Sequence, residues 1–543
     1  MQKIWVFVLM ALSVPSAVAD SGLGIHGMVI DNGGKPVRGA MIKATEGGKT
    51  VTRFTHADGR YEIALPAGNY DLTVEAYGFN PKREKDKDPS QAGETNFTLT
   101  PGFSVARLTS AELQSLLPDN SQTRFIRGAC TICHSFAYIQ HKSGYTAQEW
   151  AAFIPTMTGG RLASPVFTPA GLKAVTEALE TYFGPDSPYL GPNADPPKPQ
   201  QVAHAELSDA VLNATFHEYV IPGGLTSMPH SILADRNGDA WFSGRLVARF
   251  EAGPEKFDEY PVRGSHTGVV GKDGLIWMTV PHLGLASVDP VTGKVATYRI
   301  ADLKTPAGVG FQASIVGTHT PAVDREGNIW CSGSSVWKFD VKTKQYKEYQ
   351  IPLPATAPKN SVEHWDQVPG EASRMVAEGT FYDIRVDSKD QVWVSAFSMG
   401  ELIRLDPATG ETKAFYAPDS PSIRGIEIDA QDDVWFASYD GNSLGKLDPR
   451  TGTFKLFHPP TRYAMPYGIV ADRKTGDIWF ADLNGNHITR FREKTGKFDE
   501  FPIPSSESTT RFIDLDNKGR VWFTEWMNGK IGYLDPGPAS NQP

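Results

Sequence analysis

Along this chain the spacing of apolar residues changes twice. From Ile25 to Thr100 apolar and polar residues alternate in short runs, broken at Asn32-Gly33-Gly34, Asp58-Gly59 and Pro66-Ala67-Gly68. Alternation with period two between turn signals predicts short strands joined as hairpins. From Thr109 to Gly184 the period becomes helical. Thr109-Ser110-Ala111-Glu112 and Thr146-Ala147-Gln148-Glu149 have the form of capping boxes. The second opens a helix with Trp150, Phe153, Ile154 and Met157 on one face. Thr168-Pro169 opens another, carrying Leu172, Val175, Leu179 and Phe183 and stopping at Gly184. The next fifteen positions, "PDSPYLGPNADPPKP", hold six prolines and predict a stiff, extended linker.

Beyond the linker one unit returns seven times: an apolar strand, a polar turn with Asp or Gly, and a strand containing Trp241, Trp277, Trp330, Trp393, Trp435, Trp479 or Trp522. Units of about 40 residues with four strands each are propeller blades. The last unit stops at Leu534-Asp535-Pro536 without its outer strand, and the missing strand stands ahead of the first unit as "FHEYVIP", 216–222. An early strand that completes the last blade closes the ring and removes its open edges, so a chain begun near residue 200 should close by itself. Insertions near 301–317 and 351–379 are expected to form a rim or lid on one face.

The expected architecture is therefore mainly β and multidomain: a β-sandwich over 20–103, a small all-α domain over 104–184, a linker over 185–204 and a seven-bladed propeller over 205–543. Residues 1–19 read as a cleaved signal peptide, with Lys3, an apolar stretch and Ala17-Val18-Ala19. Its removal would take the net charge from −9 to −10, since Lys3 is its one charge. A periplasmic or secreted protein follows, with no membrane insertion. Dispersed acidic residues and no basic stripe argue against nucleic acid as a partner.

Three cysteines change the picture. Cys130-Thr131-Ile132-Cys133-His134 has the spacing for covalent attachment of one haem c, with His134 as the proximal ligand of the iron. Zinc would want more thiolates or a His pair, and a thioredoxin-type pair would want a βαβ setting. Cys331 is then left as an inert buried thiol. Met157 is the expected sixth ligand and His141 a weaker rival; a His/Met pair leaves no open position, so such a haem moves electrons and does not bind substrate.

Counting back eleven residues from each tryptophan, or twelve in the sixth blade, finds His230, His266, His319, Tyr382, Arg424, Tyr467 and Arg511. Equivalent positions in a propeller share one height around the axis. Seven polar residues in register are therefore expected to crown the channel as a catalytic site. The three histidines could ligate a divalent or transition metal there, or one could act as general base.

Three stretches resemble known families. "GMVIDNGGKPVRGAMIKA" with "THADGRYEIALPAGNYDLTVEAYGF" resembles the carboxypeptidase regulatory-like domain, which implies a prealbumin-type sandwich that docks or spaces and has no catalytic residue. The CxxCH segment with its three helices, and "EWAAFIPTM" with Met157, resemble small class I cytochromes c. The repeats, with "MPHSI", "PYGIVAD", "IWFAD" and "VWFTE", resemble the streptogramin B (virginiamycin B) lyase family over 205–536. That resemblance implies elimination on a cyclic depsipeptide by a histidine base and Mg²⁺ held by glutamates. His230, His266 and His319 match the histidine place. The glutamate place three past tryptophan holds Gly244, Val280 and Gly333 in those blades, and Glu525 beside Arg511; the place two before the histidine holds Met228, Gly264 and Gly317. The expected function is a periplasmic oxidoreductase whose propeller acts on a small molecule and passes electrons to the haem and then to a periplasmic partner. The alternatives are a lyase or hydrolase of a cyclic or ester substrate, or a non-catalytic electron-transfer or binding protein.

Overall fold

The computed structural model describes residues 23–537 except 92, 132–134, 158–168, 196, 302, 304–316, 353–380, 397–399 and 421. The expected signal peptide, Cys133, His134, the side chain of Met157 and most of the two insertions fall outside the described residues. No helix among the described residues is long and apolar enough to cross a membrane.

Six four-stranded antiparallel sheets follow one another from Ile232 to Pro502, and Ile513–Leu515, Val521–Glu525 and Lys530–Asp535 begin a seventh blade. Each begins with an inner strand along the channel and ends with an outer one. Six of the tryptophans donate their indole N–H to an aspartate in the turn before them, as Trp393 does to Asp387 at 3.1 Å and Trp435 to Asp429 at 2.9 Å. That aspartate also accepts turn amides, Lys389 N and Gln391 N at 2.9 Å in the case of Asp387. A single carboxylate thereby satisfies a tight turn and a buried indole together. Blade 6 is the exception: its turn is one residue longer, and Asp472 instead accepts from Lys474 N and Thr475 Oγ1.

The ring closes as the sequence predicts. Thr215–Val220 pairs antiparallel with Lys530–Asp535 and supplies the outer strand of blade 7. Its other edge is also taken. Lys49–Phe54 pairs with it, Lys49 opposite Tyr219 through Thr52 opposite Phe216. One sheet thus runs for eight strands from the channel into the N-terminal module. Phe54 packs with Phe216, Phe501 and Leu534 in a shared apolar cluster. The far edge is Lys82–Lys87, "KREKDK", a charged strand that discourages further pairing. The N-terminal module is a β-sandwich-like unit, its second sheet formed by Arg60–Ala64, Gly24–Asp31 and Phe97–Leu99. Ile25, Val29, Ile42, Leu72, Val74 and Phe97 fill its core.

The expected all-α cytochrome c domain is corrected. The protein is mainly β, with six α-helices among the described residues. Five lie between the sandwich and the blades: α1 (Ser110–Ser115), α2 (Ser121–Cys130), α3 (Ala137–Gln140), α4 (Ala147–Met157) and α5 (Pro169–Phe183); α6 (Asp209–Leu212) follows. Both capping boxes form, Thr109 with Glu112 and Thr146 with Glu149. These helices do not stand as a distinct domain. Ser110, Ala111, Glu112, Leu113 and Gln114 of α1 are all buried, whereas a helix of a free-standing unit leaves one face to water. Ala111 N donates to Asn484 O of blade 6 at 2.8 Å, Phe136 N to Asn484 Oδ1 at 3.3 Å, and His141 meets Glu507 at 3.1 Å. On the other side Tyr77 and Phe103 of the sandwich pack against the same apolar cluster. The segment is a helical cap laid on the propeller face and built into it.

Candidate functional site

All seven positions singled out by register stand at or just before the start of an inner strand, at one end of the channel. His230, His266 and His319 each precede a short strand, Ile232–Ala234, Gly268–Val270 and Pro321–Val323. Tyr382, Arg424 and Tyr467 occupy the second place of Phe381–Val386, Ile423–Ile428 and Pro466–Ala471. In those three blades the register slips between Phe381 and Ile384, Ile423 and Ile426, and Pro466 and Ile469. A bulge of this kind re-aims a side chain. Arg511 again precedes its strand, Ile513–Leu515.

The residues touch one another in sequence. Ring centroids lie 4.2 Å apart for His230 and His266, 3.8 Å for His266 and His319, and 4.4 Å for His319 and Tyr382. The hydroxyls of Tyr382 and Tyr467 share a short hydrogen bond. Arg424 lies over the rings of Tyr382, Tyr439 and Tyr467 at 4.6–4.9 Å, and Arg511 over Trp526 at 4.2 Å. Phe512 packs against His230 and Tyr467. His266 Nδ1 meets His319 O at 3.2 Å, and His319 Nδ1 meets Tyr382 O at 2.6 Å. A carbonyl oxygen only accepts, so Nδ1 carries the proton in both rings and Nε2 keeps its lone pair.

Burial dominates the protonation of this ring. It drives the His266 imidazole down to about 3, the Arg511 charge adding to the effect. Burial first, and His266 second, put His230 and His319 well below the ordinary histidine value. Burial, then Tyr467, raises Tyr382 well above the usual phenol value. At neutral pH the ring therefore presents neutral imidazoles, a neutral phenol at Tyr382 and two guanidinium groups. None of the seven positions is a carboxylate. Successive imidazole planes of the triad are tilted to one another by 48° and 39°.

A latch missed by the sequence reading fixes the ring. Ser243, Thr279, Ser332, Ser395 and Thr524 each donate a hydroxyl hydrogen bond to the carbonyl of a ring residue in the neighbouring blade, at 2.5–3.3 Å. All five stand two residues past a blade tryptophan, so the same register count would have found them. One layer deeper, the channel of about 410 Å³ holds Asp383, Arg385, Glu427 and Asp514. Arg385 bridges Asp383 at 2.6 Å and Glu427 at 3.2 Å, and burial raises Asp514 to about 6.

Glu525 is buried in blade 7 beside Glu218. Burial, with Glu218 second, holds its carboxyl well above the carboxylate range, and Oε2 accepts from Asn528 at 2.9 Å. In blade 6 the same place, three past tryptophan, is Asp482.

The helical cap reaches the ring through the CxxCH segment. Tyr439, which underlies Arg424, donates its hydroxyl to the carbonyl of Thr131 at 2.7 Å. Thr131 Oγ1 lies 3.5 Å from Met465 Sδ, and Met465 packs with Tyr382, Tyr439 and Tyr467. Cys130 ends α2 half-buried, and Cys331 is buried in an apolar cluster with Trp277 and Phe339, its thiol pushed up by burial.

Fold and site together define a seven-bladed propeller whose channel mouth is lined by histidine, tyrosine and arginine and covered on one side by a helical cap. Residues 371–540 match the virginiamycin B lyase family, and residues 24–100 match the carboxypeptidase regulatory-like domain. The first match starts after the three blades that carry the histidines. A streptogramin B lyase structure is 20% identical, covering 60% of this chain and 99% of its own, with a TM-score of 0.49. Virginiamycin B lyase from Staphylococcus aureus is 18% identical over 59% of this chain and 99% of its own, with a TM-score of 0.48. The extracellular domain of a hybrid two-component system from B. thetaiotaomicron is 15% identical over 58% and 40%, with a TM-score of 0.42. No curated protein matches the chain.

Proposed function

We propose that the protein is an exported, periplasmic or secreted oxidoreductase in which the channel mouth acts on a small, oxygen-rich anion beside a covalently held haem c. The observation that carries this reading is the contact of Thr131, inside the CxxCH segment, with Tyr439 and Met465 at the edge of the polar ring. Cys130, Cys133, His134 and Met157 would hold the group. Two thiols three residues apart in the sequence, followed by a histidine, suit haem attachment. Arg127, buried one turn before Cys130, has guanidinium Nε and Nη2 without a hydrogen-bond partner among the described residues. It can donate to an acidic substituent of such a group. When bound, haem c would supply a one-electron carrier.

The chain's own residues bind and orient. Arg424, on which Asp440 also acts, and Arg511 orient an anionic oxygen. Tyr382 keeps its proton and donates it as a hydrogen bond, while Nε2 of His266 or His319 accepts a hydrogen bond from substrate. A periplasmic electron carrier is the expected partner. The match of residues 371–540 to the lyase family favours a second reading, elimination on a cyclic or ester substrate; in that case turnover would proceed without any change in the haem spectrum.

Covalent attachment is tested directly. Acid–acetone should leave haem on the wild-type protein, and Cys130→Ala should release a large part of it. Complete extraction from the wild type would remove haem c from the account.

A further inference from the structure

We propose that Asp482, His487 and Glu500 form a divalent-cation site in blade 6, suited to Zn²⁺, and that the ion clamps the turn on which the helical cap docks. Each of the three offers a ligand atom, and these atoms lie within 4.8 Å of one another. Asp482 ends one strand, His487 opens the next directly opposite it, and Glu500 lies on the outer strand. Two of the three ligands thus come from strands away from the channel. Phe480, on the same side of its strand as Asp482, packs with Trp435 of blade 5, so the cluster faces the neighbouring blade, with Asp482 opposite Pro466 and His487 and Glu500 farther out.

The donors are poised and incompletely used. Asp482 is 0% exposed and its Oδ1 has no hydrogen-bond partner among the described residues; Thr489 Oγ1 occupies Oδ2 alone. His487 Nδ1 is buried and likewise unpartnered. Glu500 is 8% exposed and is aimed by Thr461, whose N and Oγ1 donate to it at 3.0 and 2.7 Å. Among the described residues no lysine or arginine pairs with Asp482 or Glu500. Two carboxylates withdrawn from water without a counter-charge are costly, and a dication removes that cost. One imidazole with two carboxylates suits Zn²⁺, with a fourth position for water; Mg²⁺ and Ca²⁺ prefer oxygen alone.

The ion would have a structural consequence. The turn between Asp482 and His487 contains Asn484, whose O accepts from Ala111 N of α1 and whose Oδ1 accepts from Phe136 N. Asn484 Nδ2 reaches Met465 Sδ at 2.7 Å, and Asn486, at φ 55°, donates to Ile503 O and Ser505 O. Joining 482 to 487 and 500 through a metal fixes the point on which the cap, and with it Cys130, is seated.

The test uses the full-length protein stripped with a chelator and titrated with ZnCl₂, zinc and iron being counted separately so that haem content is read independently. The wild type should regain one zinc per chain and unfold at a higher temperature with it. Asp482→Asn, His487→Gln and Glu500→Gln should each weaken zinc binding roughly 100-fold or more and lose the thermal gain, while His230→Gln keeps both. Failure of the stripped wild type to take up zinc, or equal uptake by all three variants, overturns the site. If the variants do not fold, zinc-edge X-ray absorption of the wild type decides: nitrogen and oxygen neighbours at about 2.0–2.2 Å support the site, and absent zinc or a sulfur shell overturns it.

Discussion

Replacing His230, His266 and His319 together by glutamine is expected to lower turnover by about 100-fold or more and to flatten the acid limb of the stability curve. The triad faces the mouth of the channel, and its imidazoles are held neutral by burial, His266 at about 3. In the unfolded chain each would titrate near 6.5. Above that value both states are neutral and the triad contributes no pH dependence. As the pH falls from about 6.5 toward 3, the unfolded chain takes up protons that the folded ring refuses, so stability is lost. The slope is about 1.4 kcal/mol per pH unit for His266 over this range, and His230 and His319 add to it in the same direction. Glutamine keeps a polar side chain and cannot titrate in this range. Urea unfolding at a series of pH values measures the effect. Equal slopes in the wild type and the triple variant would mean that the ring is not held neutral.

The second large effect concerns the N-terminal module. Removing residues 23–103 uncovers the edge of Thr215–Val220 that Lys49–Phe54 now pairs with, and takes Phe54 from the cluster it shares with Phe216 and Phe501. An open strand edge beside an exposed apolar patch is a template for association. The shortened chain should elute from a sizing column as aggregate, and the charged edge Lys82–Lys87 of the whole protein explains why the intact sheet stops growing. A monodisperse, fully folded product would show that the eight-stranded sheet is dispensable.

The sequence predicted ring closure but also a self-sufficient propeller from residue 200, and the difference is instructive. "FHEYVIP" identified itself by likeness to the other outer strands. Its second partner, "KTVTRF", carries no such likeness, because strand pairing between unrelated modules depends on edges and shape. The ring was legible for a related reason. Seven repeats fix a common register, so a count from tryptophan places a side chain at one height even where a bulge intervenes, as at Tyr382, Arg424 and Tyr467. The helical cap was legible as helices and illegible as a domain. Its capping boxes are local, whereas the docking of α1 on Asn484 is a contact between residues far apart in the chain. The Asp482–His487–Glu500 cluster was missed because only Asp482, three past Trp479, stands at a counted place; a hairpin turn and an outer strand bring His487 and Glu500 to it.

The most direct test of the central claim, that the polar ring delivers electrons to a haem beside it, is an anaerobic spectrum of the full-length protein mixed with a panel of small carboxylates and phenols. Haem reduction by a member of the panel in the wild type, abolished in Arg424→Gln and Arg511→Gln with haem still attached, is the predicted result. Reduction that proceeds equally with both arginines replaced, or turnover of the reacting compound with the haem spectrum unchanged, would contradict it.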